Sequence, residues 1–254
     1  MLMLKNKIRT EKETEKYLEE LKDWLKEVKH APVEEMVDFF TNRIGEYNHV
    51  HLKNWGEEYD HIADFFEDGL HTLLDIGCGT GLELKSMYRR FPDVRITGID
   101  LSESMLEKLR ESYGDKNVEL INADYFQYPF AENKFDAAMS FETLHHFKYD
   151  KKQQIYKKLY ETIKPGGYYI ECDYIACGEE EESLCLEEYE YRCKQNNIPE
   201  DMFIHIDIPL TLEHQCELMK NAGFKTVQVL YQNCGTVIIK AEKSRNTEKI
   251  PPTP

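Results

Sequence analysis

The chain has 254 residues, of which 41% are hydrophobic and 31% are charged. This is enough apolar material for a sizeable core, so a disordered chain is excluded, and the length predicts one core domain with an appendage or insertion. The 32 basic and 48 acidic residues give a formal net charge of −16. Such a surface repels phosphate backbones, and binding to nucleic acid is therefore disfavoured.

The sequence predicts a cytoplasmic protein that does not enter a membrane. No apolar run is as long as a membrane span, and residues 1–16 lack the apolar stretch of a secretory signal. Seven cysteines are an odd number in a chain too long to need disulfides for stability. Free thiols in a reducing compartment are the natural interpretation.

Residues 1–70 are predicted to form a helical cap. Leucines at helical spacing indicate a helix over 10–29, and Thr10 with Glu13 fits a capping box. Pro32 suits the start of a second helix over 33–44. A third helix is predicted over 55–68, ending at Gly69.

From Thr72 onward, short apolar runs that end in turns alternate with helices, over residues 72–77, 95–101, 118–124, 134–141 and 168–175. This alternation predicts an α/β fold with a doubly wound, mostly parallel sheet covered on both faces. Residues 225–233 and 235–243 predict an antiparallel C-terminal hairpin. The core domain is therefore residues 71–243, and residues 244–254 are predicted to be a disordered tail.

Residues 176–209 interrupt the alternation and predict an inserted lid made of a helix and a loop. Its aromatic, methionine and polar side chains favour a pocket for a small, partly apolar molecule. They are Tyr189, Tyr191, Met202, Phe203, His205 and Asp207. Packing of these aromatic residues against other helices is an equally valid interpretation.

The segment LLDIGCGTG, residues 73–81, carries the functional signal. A buried strand runs into a turn with glycines at 77, 79 and 81, where the backbone can approach a ligand closely. Asp100 follows 19 residues after Gly81 at the end of the next strand, where an acid can accept hydrogen bonds from ribose hydroxyls. The G-x-G-x-G spacing disfavours a nicotinamide dinucleotide, and no Lys-Ser/Thr pair follows as in a Walker motif.

Together with GIDLSESM (98–105), NADYFQYPF (122–130) and IKPGGYYI (163–170), this loop resembles the motif series of the class I S-adenosylmethionine-dependent methyltransferases. The resemblance covers roughly residues 35–243. It implies a seven-stranded Rossmann-like sheet, S-adenosyl-L-methionine as cofactor, and methyl transfer as the reaction.

The resemblance also implies which residues bind the cofactor. Gly77, Gly79 and Gly81 would lie against its methionine part, and Asp75 and the backbone of Cys78 would help to hold its amino group. Other members of the set would contact the ribose, the adenine and the region near the sulfur. They are Asp100 for the ribose, Leu101, Met105, Asp124 and Tyr125 for the adenine, and Ser140 and Phe141 near the methyl-bearing sulfur.

Tyr47, in the segment FFTNRIGEYN (39–48), would fold over the cofactor. Asp124 as a turn cap and Tyr47 as a core residue are the structural alternatives.

The segment SFETLHHF (140–147) follows the fourth strand, where the acceptor is expected. Glu142, His145 and His146 are the candidate catalytic residues, since histidine titrates near neutral pH and can act as a base. Asp173, after the fifth strand, is a weaker candidate. One histidine capping the next helix and the other packing against the lid is the alternative. The spacing of histidines and carboxylates along the chain predicts no metal.

We therefore expect methyl transfer to a small-molecule acceptor through an oxygen, nitrogen or sulfur nucleophile, by a monomer or homodimer. A methyltransferase acting on RNA or protein is one alternative, for which a lysine patch near residues 148–158 leaves room. A non-catalytic cofactor-binding or regulatory protein is another. A further variant is a member that transfers a carboxymethyl group from a modified cofactor.

Overall fold

The computed structural model describes residues 4–245, and the predicted tail therefore lies outside the described residues from position 246 onward. Seven strands form one sheet in the order β3-β2-β1-β4-β5-β7-β6. The strands are β1 Thr72–Ile76, β2 Arg95–Asp100, β3 Val118–Asn122, β4 Phe135–Phe141, β5 Ile163–Tyr174, β6 Thr226–Asn233 and β7 Thr236–Glu242. The helices are α1 Glu11–Val28, α2 Met36–His61, α3 Leu84–Arg90, α4 Glu103–Tyr113, α5 Tyr149–Thr162, α6 Glu179–Asn196 and α7 Leu212–Asn221.

The sheet confirms the predicted fold class. Strand β1 pairs in parallel with β2 and β4, and β7 runs antiparallel between β5 and β6. The chain leaves β1 for β2 on one side and later returns to β4 on the other. In open α/β sheets, ligands bind at such a switch point, beyond the carboxyl ends of the strands. This places the expected site at Gly77, directly after β1, and at Glu142, directly after β4.

The central strands are apolar on both faces because helices cover both faces. Leu73 and Leu74 are adjacent in β1, and both are fully buried. Leu74 packs in a cluster with α5 and α7, whereas Leu73 packs in a second cluster with α3 and α4. The two clusters hold the strand ends in fixed positions, which is what a preformed site requires.

The predicted second helix is longer than expected, and the predicted third helix follows it after a kink. Helix α2, Met36–His61, has non-helical backbone at Trp55 (φ −129°, ψ 23°), and a 3₁₀ turn, Ile62–Phe65, follows it. The prediction left a gap at residues 45–54, which begin with a glycine and are mostly polar. The helix continues because its inner face packs against α3 and α4, and tertiary packing overrides weak local propensity.

Helix α1 has the predicted capping box at Thr10 and Glu13. It is tied to the inserted helix α6 by Tyr17, whose hydroxyl donates to Glu181 at 2.5 Å and lies 2.7 Å from the hydroxyl of Tyr174. The cap and the lid are therefore joined by a partly buried polar cluster.

Across residues 4–245, the helices are too short or too polar for any of them to span a lipid bilayer.

Candidate active site

The glycine turn after β1 forms one wall of a cavity at the switch point. Gly77 and Gly79 have φ angles of +65° and +47°, which residues with side chains rarely adopt. A Cβ atom on Gly77 would overlap the side chain of Thr143, and one on Gly79 would lie 3.3 Å from the hydroxyl of Tyr47. Glycine at these positions therefore lets the turn pack directly against the side chains of Thr143 and Tyr47.

Asp100 ends β2 beside this turn. Its carboxylate accepts hydrogen bonds from the backbone N–H of Gly79 at 2.9 Å and from that of Ser102 at 2.8 Å. Burial raises the pKa of Asp100, although these two hydrogen bonds oppose the effect. Asp100 also lines the cavity, so the residue that fixes the shape of the turn lies beside the space for a ligand.

The lining of the cavity is mostly apolar beyond Asp100. Leu101, Met105, Tyr125 and Phe126 all belong to it. Asp124 lines it too, and its carboxylate accepts a hydrogen bond from the N–H of Phe126 at 2.7 Å. Apolar and aromatic side chains beside one carboxylate suit a nucleobase that carries an amino group.

Helix α2 and the lid loop cover the cavity. Met36, Phe40 and Tyr47 reach it from α2, and Phe203 reaches it from the loop after α6. Backbone hydrogen bonds join the two covers, from Met36 N to the Phe203 carbonyl at 2.9 Å and from His205 N to the Glu34 carbonyl at 3.2 Å. Cap and lid therefore form one roof over the site.

Most of the predicted cofactor residues come together at this cavity. Those that line it are Tyr47, Gly77, Gly79, Asp100, Leu101, Met105, Asp124 and Tyr125. Met36, Val37, Phe40, Phe126, Thr143 and Phe147 also line it and were not predicted. The spacing of Met36, Phe40 and Tyr47 along one helix face was the available signal for part of this set.

Five predicted cofactor residues lie outside the cavity lining: Asp75, Cys78, Gly81, Ser140 and Phe141. Asp75 is buried without a hydrogen-bond partner among the described residues, and burial together with the nearby Glu83 raises its pKa well above the usual range. Gly81 faces Leu109 of α4, and Phe141 stacks on Tyr59 of α2 at a centroid distance of 3.9 Å. Gly81 and Phe141 therefore pack against the neighbouring helices and do not face the cavity.

A second cavity, of about 340 Å³, adjoins the first between α2 and the segment after β4. We call it the acceptor cavity. The two cavities share four residues, which are Phe40, Tyr47, Glu142 and His146. The acceptor cavity is further lined by aromatic and polar side chains, among them His51, Trp55, His145, His205 and Asp207.

The 3₁₀ turn Leu144–His146 places two histidines between the cavities. His145 Nδ1 lies 2.5 Å from Asp173 Oδ1, and the other oxygen of Asp173 accepts from the N–H of Leu144 at 3.0 Å. Burial disfavours a charged His145, but Asp173 outweighs that effect and raises the pKa of His145 to about 9. Asp173 therefore fixes the ring's orientation and charge.

His146 has a different environment. Its Nδ1 lies 3.1 Å from Asp207 Oδ1 and makes no hydrogen bond of good geometry with any described residue. Burial lowers the pKa of His146, and it lowers the pKa of His205 to about 3 and that of His51 to about 4. These imidazoles are neutral at pH 7.

Glu142 follows β4 with an unusual φ of +46°, and its side chain is almost completely buried. Its Oε2 lies 3.7 Å from His145 Nδ1, while Oε1 has no hydrogen-bond partner within residues 4–245. Burial raises the pKa of Glu142 well above the usual carboxyl range. All three predicted catalytic residues therefore meet at the acceptor cavity.

The fold and the site define a class of proteins that bind a ribose-containing ligand across the ends of β1, β2 and β3, with a second ligand beside it. Residues 73–167 match the family model described as "Methyltransferase domain". This match covers the glycine turn, Asp100, Asp124 and the two histidines.

Relatives extend the similarity beyond that domain. A carboxy-S-adenosyl-L-methionine synthase of Nautilia profundicola is 24% identical over 211 residues, which are 78% of this chain and 88% of the relative. A malonyl-[acyl-carrier protein] O-methyltransferase of Priestia megaterium is 33% identical over 131 residues, but the match spans only 46% of this chain and 47% of that protein.

Among solved structures, human N-acetylserotonin methyltransferase in complex with S-adenosylmethionine superposes with a TM-score of 0.64 at 19% identity. The superposition covers 93% of this chain and 68% of that one. At this identity the likeness shows the fold. The chain is a class I S-adenosylmethionine-dependent methyltransferase, and S-adenosyl-L-methionine is its cofactor.

The residues at the first cavity, which we call the cofactor cavity, fit this cofactor. Gly77 and Gly79 line it with backbone alone, Asp100 is an acidic residue in its lining, and Leu101, Met105 and Tyr125 make part of the lining apolar. When bound, the cofactor supplies an electrophilic methyl group on a sulfonium. The chain's own residues must then bind the acceptor, orient it and exclude water.

Proposed function

We propose that this methyltransferase acts on a small molecule bound in the acceptor cavity. The observation that carries the proposal is the shared wall between the two cavities. Phe40, Tyr47, Glu142 and His146 face both of them, so a molecule in the acceptor cavity lies next to the end of the cofactor cavity formed by the carboxyl ends of β1 and β4.

The size and cover of the acceptor cavity favour a small acceptor. Its volume of about 340 Å³ falls within the range of small-molecule pockets, roughly 300–1,000 Å³. The roof made by α2 and residues 203–207 is held by backbone hydrogen bonds, so a large macromolecule would have to displace it. The net charge of −16 also opposes an RNA substrate.

The lining chemistry favours a partly apolar acceptor that carries a polar reactive group. Phe39 stacks on His205 at a centroid distance of 3.4 Å, and Tyr47 stacks on His51 at 4.0 Å. These aromatic walls suit a ring or another apolar body. Glu142, His145 and His146 supply the polar groups where the two cavities meet, and we propose them as the residues that position or deprotonate the acceptor.

Carboxymethyl chemistry is the second candidate, favoured by the similarity to a carboxy-S-adenosyl-L-methionine synthase over most of this chain. A carboxylate on the transferred carbon would require a cationic partner. Among the described side chains lining the two cavities, the cations are the Arg43 guanidinium and the His145 imidazole, whose pKa is raised to about 9. Glu34 holds Arg43 in two hydrogen bonds of 2.7 and 2.9 Å, and three carboxylates already surround His145. This arrangement favours methyl transfer.

The test is an acceptor screen in which release of S-adenosylhomocysteine is measured with purified full-length protein. Val50→Trp should then obstruct the acceptor cavity, which Val50 lines from α2. Leu52→Trp is the matched control, since Leu52 lies on the same helix, is 48% exposed against 45% for Val50, and is not among the cavity residues.

For an acceptor found in the screen, Val50→Trp should lower kcat/KM by about tenfold or more, a loss of roughly 1–3 kcal/mol from overpacking. Its affinity for S-adenosylhomocysteine should stay at the wild-type value. Equal effects of the two tryptophan variants would contradict the proposed acceptor position. Mass spectrometry of a nucleoside copurified with the protein decides between methyl and carboxymethyl chemistry.

A further inference from the structure

Three potential metal ligands lie together at the edge of the acceptor cavity. Asp207 Oδ1 lies 3.1 Å from His146 Nδ1 and 3.7 Å from His145 Nε2, and the three donor atoms lie within 4.8 Å of one another. Two atoms bound to one zinc ion at about 2.0–2.1 Å are roughly 2.8–3.4 Å apart for angles between 90° and the tetrahedral value. The distance from Asp207 to His146 lies within this range, and His145 would have to move closer by a few tenths of an ångström to share the ion.

The orientation of His146 gives a second, independent observation. This residue is 6% exposed, and its Nδ1 has no hydrogen-bond partner among the described residues. The nearest carboxylate oxygen, Asp207 Oδ1, lies 3.1 Å away. A buried nitrogen without a partner is costly, and a cation bound between these two atoms would satisfy both.

His145 is oriented by a carboxylate, as histidine ligands usually are. Its Nδ1 is held by Asp173 at 2.5 Å, and the cation would displace the proton that Nε2 carries when the ring is charged. Asp207 is positioned by its neighbour, since Ile208 N donates to the carbonyl of His145 at 2.7 Å. The lid loop and the histidine turn are therefore locked together in the arrangement that brings the ligands near each other.

The charge around this cluster favours a cation. Glu142, Asp173 and Asp207 all approach His145 within 3.7 Å. The nearest guanidinium among the described cavity residues, Arg43, is already paired with Glu34. Two imidazoles and one carboxylate are ligands typical of Zn²⁺, whereas Mg²⁺ and Ca²⁺ prefer oxygen atoms.

We propose that His145, His146 and Asp207 bind one Zn²⁺ ion whose open position faces the acceptor cavity. This inference rests on the proposed function, and it identifies the acceptor as a molecule with an ionisable hydroxyl or thiol. The ion binds that oxygen or sulfur and lowers its pKa, and the proton passes to solvent. The acceptor's lone pair then forms the bond to the methyl carbon, while the electron pair of the broken carbon–sulfur bond stays on the cofactor's sulfur.

The test is isothermal titration of the metal-free full-length protein with Zn²⁺, with the bound metal counted by elemental mass spectrometry after dialysis. Asp207→Ala removes one of the three proposed ligands. The Asp207 side chain is half-exposed and does not line the cofactor cavity, so its loss should not disturb cofactor binding. His214→Ala is the matched control, because His214 is also paired with a carboxylate, Glu182 at 2.8 Å, but lies on α7 outside both cavities.

Wild-type protein should bind one Zn²⁺ per chain in this site, and Asp207→Ala should weaken that binding by about 10–100-fold or more. His214→Ala should bind zinc as wild type does, and both variants should bind S-adenosylhomocysteine normally. No zinc binding by wild-type protein would overturn the proposal. Zinc binding unchanged in Asp207→Ala would also overturn it, because the ion would then be held elsewhere, such as by thiols.

The two proposals fail separately. Undiminished methyl transfer to a cavity-bound acceptor after complete metal removal would overturn the zinc site and leave the proposed function intact. Site-specific zinc binding without methyl transfer to any small molecule would support the site and contradict the proposed function.

Discussion

Gly79 and Asp100 are joined by a hydrogen bond of 2.9 Å from the backbone N–H of the glycine to a carboxylate oxygen of the aspartate. The residues are 21 positions apart and belong to the turn after β1 and the end of β2. The bond therefore couples the glycine turn to Asp100, the residue proposed to bind the ribose. A change at Asp100 should therefore alter the contact to the ligand and the shape of the turn.

Asp100→Ala should weaken binding of S-adenosylhomocysteine by about 1–3 kcal/mol, because charged hydrogen bonds to the ligand are lost. This corresponds to a dissociation constant roughly 5–150 times larger. Calorimetric titration measures it, with Asp93→Ala as the control, an exposed aspartate ahead of the same strand. Wild-type affinity in Asp100→Ala would contradict the assignment of Asp100 to the cofactor.

Gly77→Ala should destabilise the fold by about 1–3 kcal/mol, since the φ of +65° is strained for alanine and the added methyl group would overlap Thr143. Gly45→Ala is the control, because this glycine lies within α2 with nothing within 4 Å of an added Cβ. It should stabilise the protein by about 0.5–1 kcal/mol. Urea unfolding measures both. A free energy of unfolding that is unchanged in Gly77→Ala would contradict the described turn.

The stability provided by Asp136 should depend on pH. Burial alone would raise the pKa of this carboxyl, but hydrogen bonds from Lys164 at 2.7 Å and from the Thr72 hydroxyl and N–H bring it below the usual value. A lowered pKa in the folded state stabilises the fold above the unfolded pKa of about 3.9, and this contribution is lost as the pH falls through the folded value.

Asp136→Asn should therefore cost about 1–3 kcal/mol at pH 7. The difference from wild type should shrink as the pH falls below about 4. Urea unfolding at several pH values measures this. A difference that grows toward acidic pH would contradict the lowered pKa of Asp136.

Cofactor binding should protect the roof of the site from hydrogen exchange. Met36, Phe40 and Tyr47 of α2 and Phe203 of the lid loop line the cofactor cavity, whereas α1 has no residue there. With saturating S-adenosylhomocysteine, amides of residues 36–47 and 203–208 should exchange more slowly, and those of residues 11–28 should change little. Equal protection of α1 would indicate a global effect instead.

The order of strands and helices could be predicted because each buried strand is a short apolar run with a turn at its end. The extension of α2 through residues 45–54 could not, since Gly45 and the mostly polar residues after it favour a break locally. Packing of α2 against α3 and α4 accompanies this extension, which ends at the kink at Trp55. This packing is a long-range effect that a local pattern does not contain.

The site was predictable to the extent that its residues follow strand ends. Gly77, Asp100, Asp124 and Glu142 all lie in such positions, and the sheet brings them together. Asp207 was assigned to the lid, but its approach to His145 and His146 depends on the hydrogen bond from Ile208 N to the His145 carbonyl. That contact spans more than sixty residues of chain, so the spacing along the sequence predicted no metal ligands.

The most direct measurement is a crystal structure of the protein with S-adenosylhomocysteine. We expect the ribose hydroxyls at Asp100, the adenine between Leu101 and Tyr125, and the sulfur facing the acceptor cavity where Glu142 and His146 form the shared wall. A sulfur turned away from that wall, or separated from the acceptor cavity by Phe40 and Tyr47, would contradict the account.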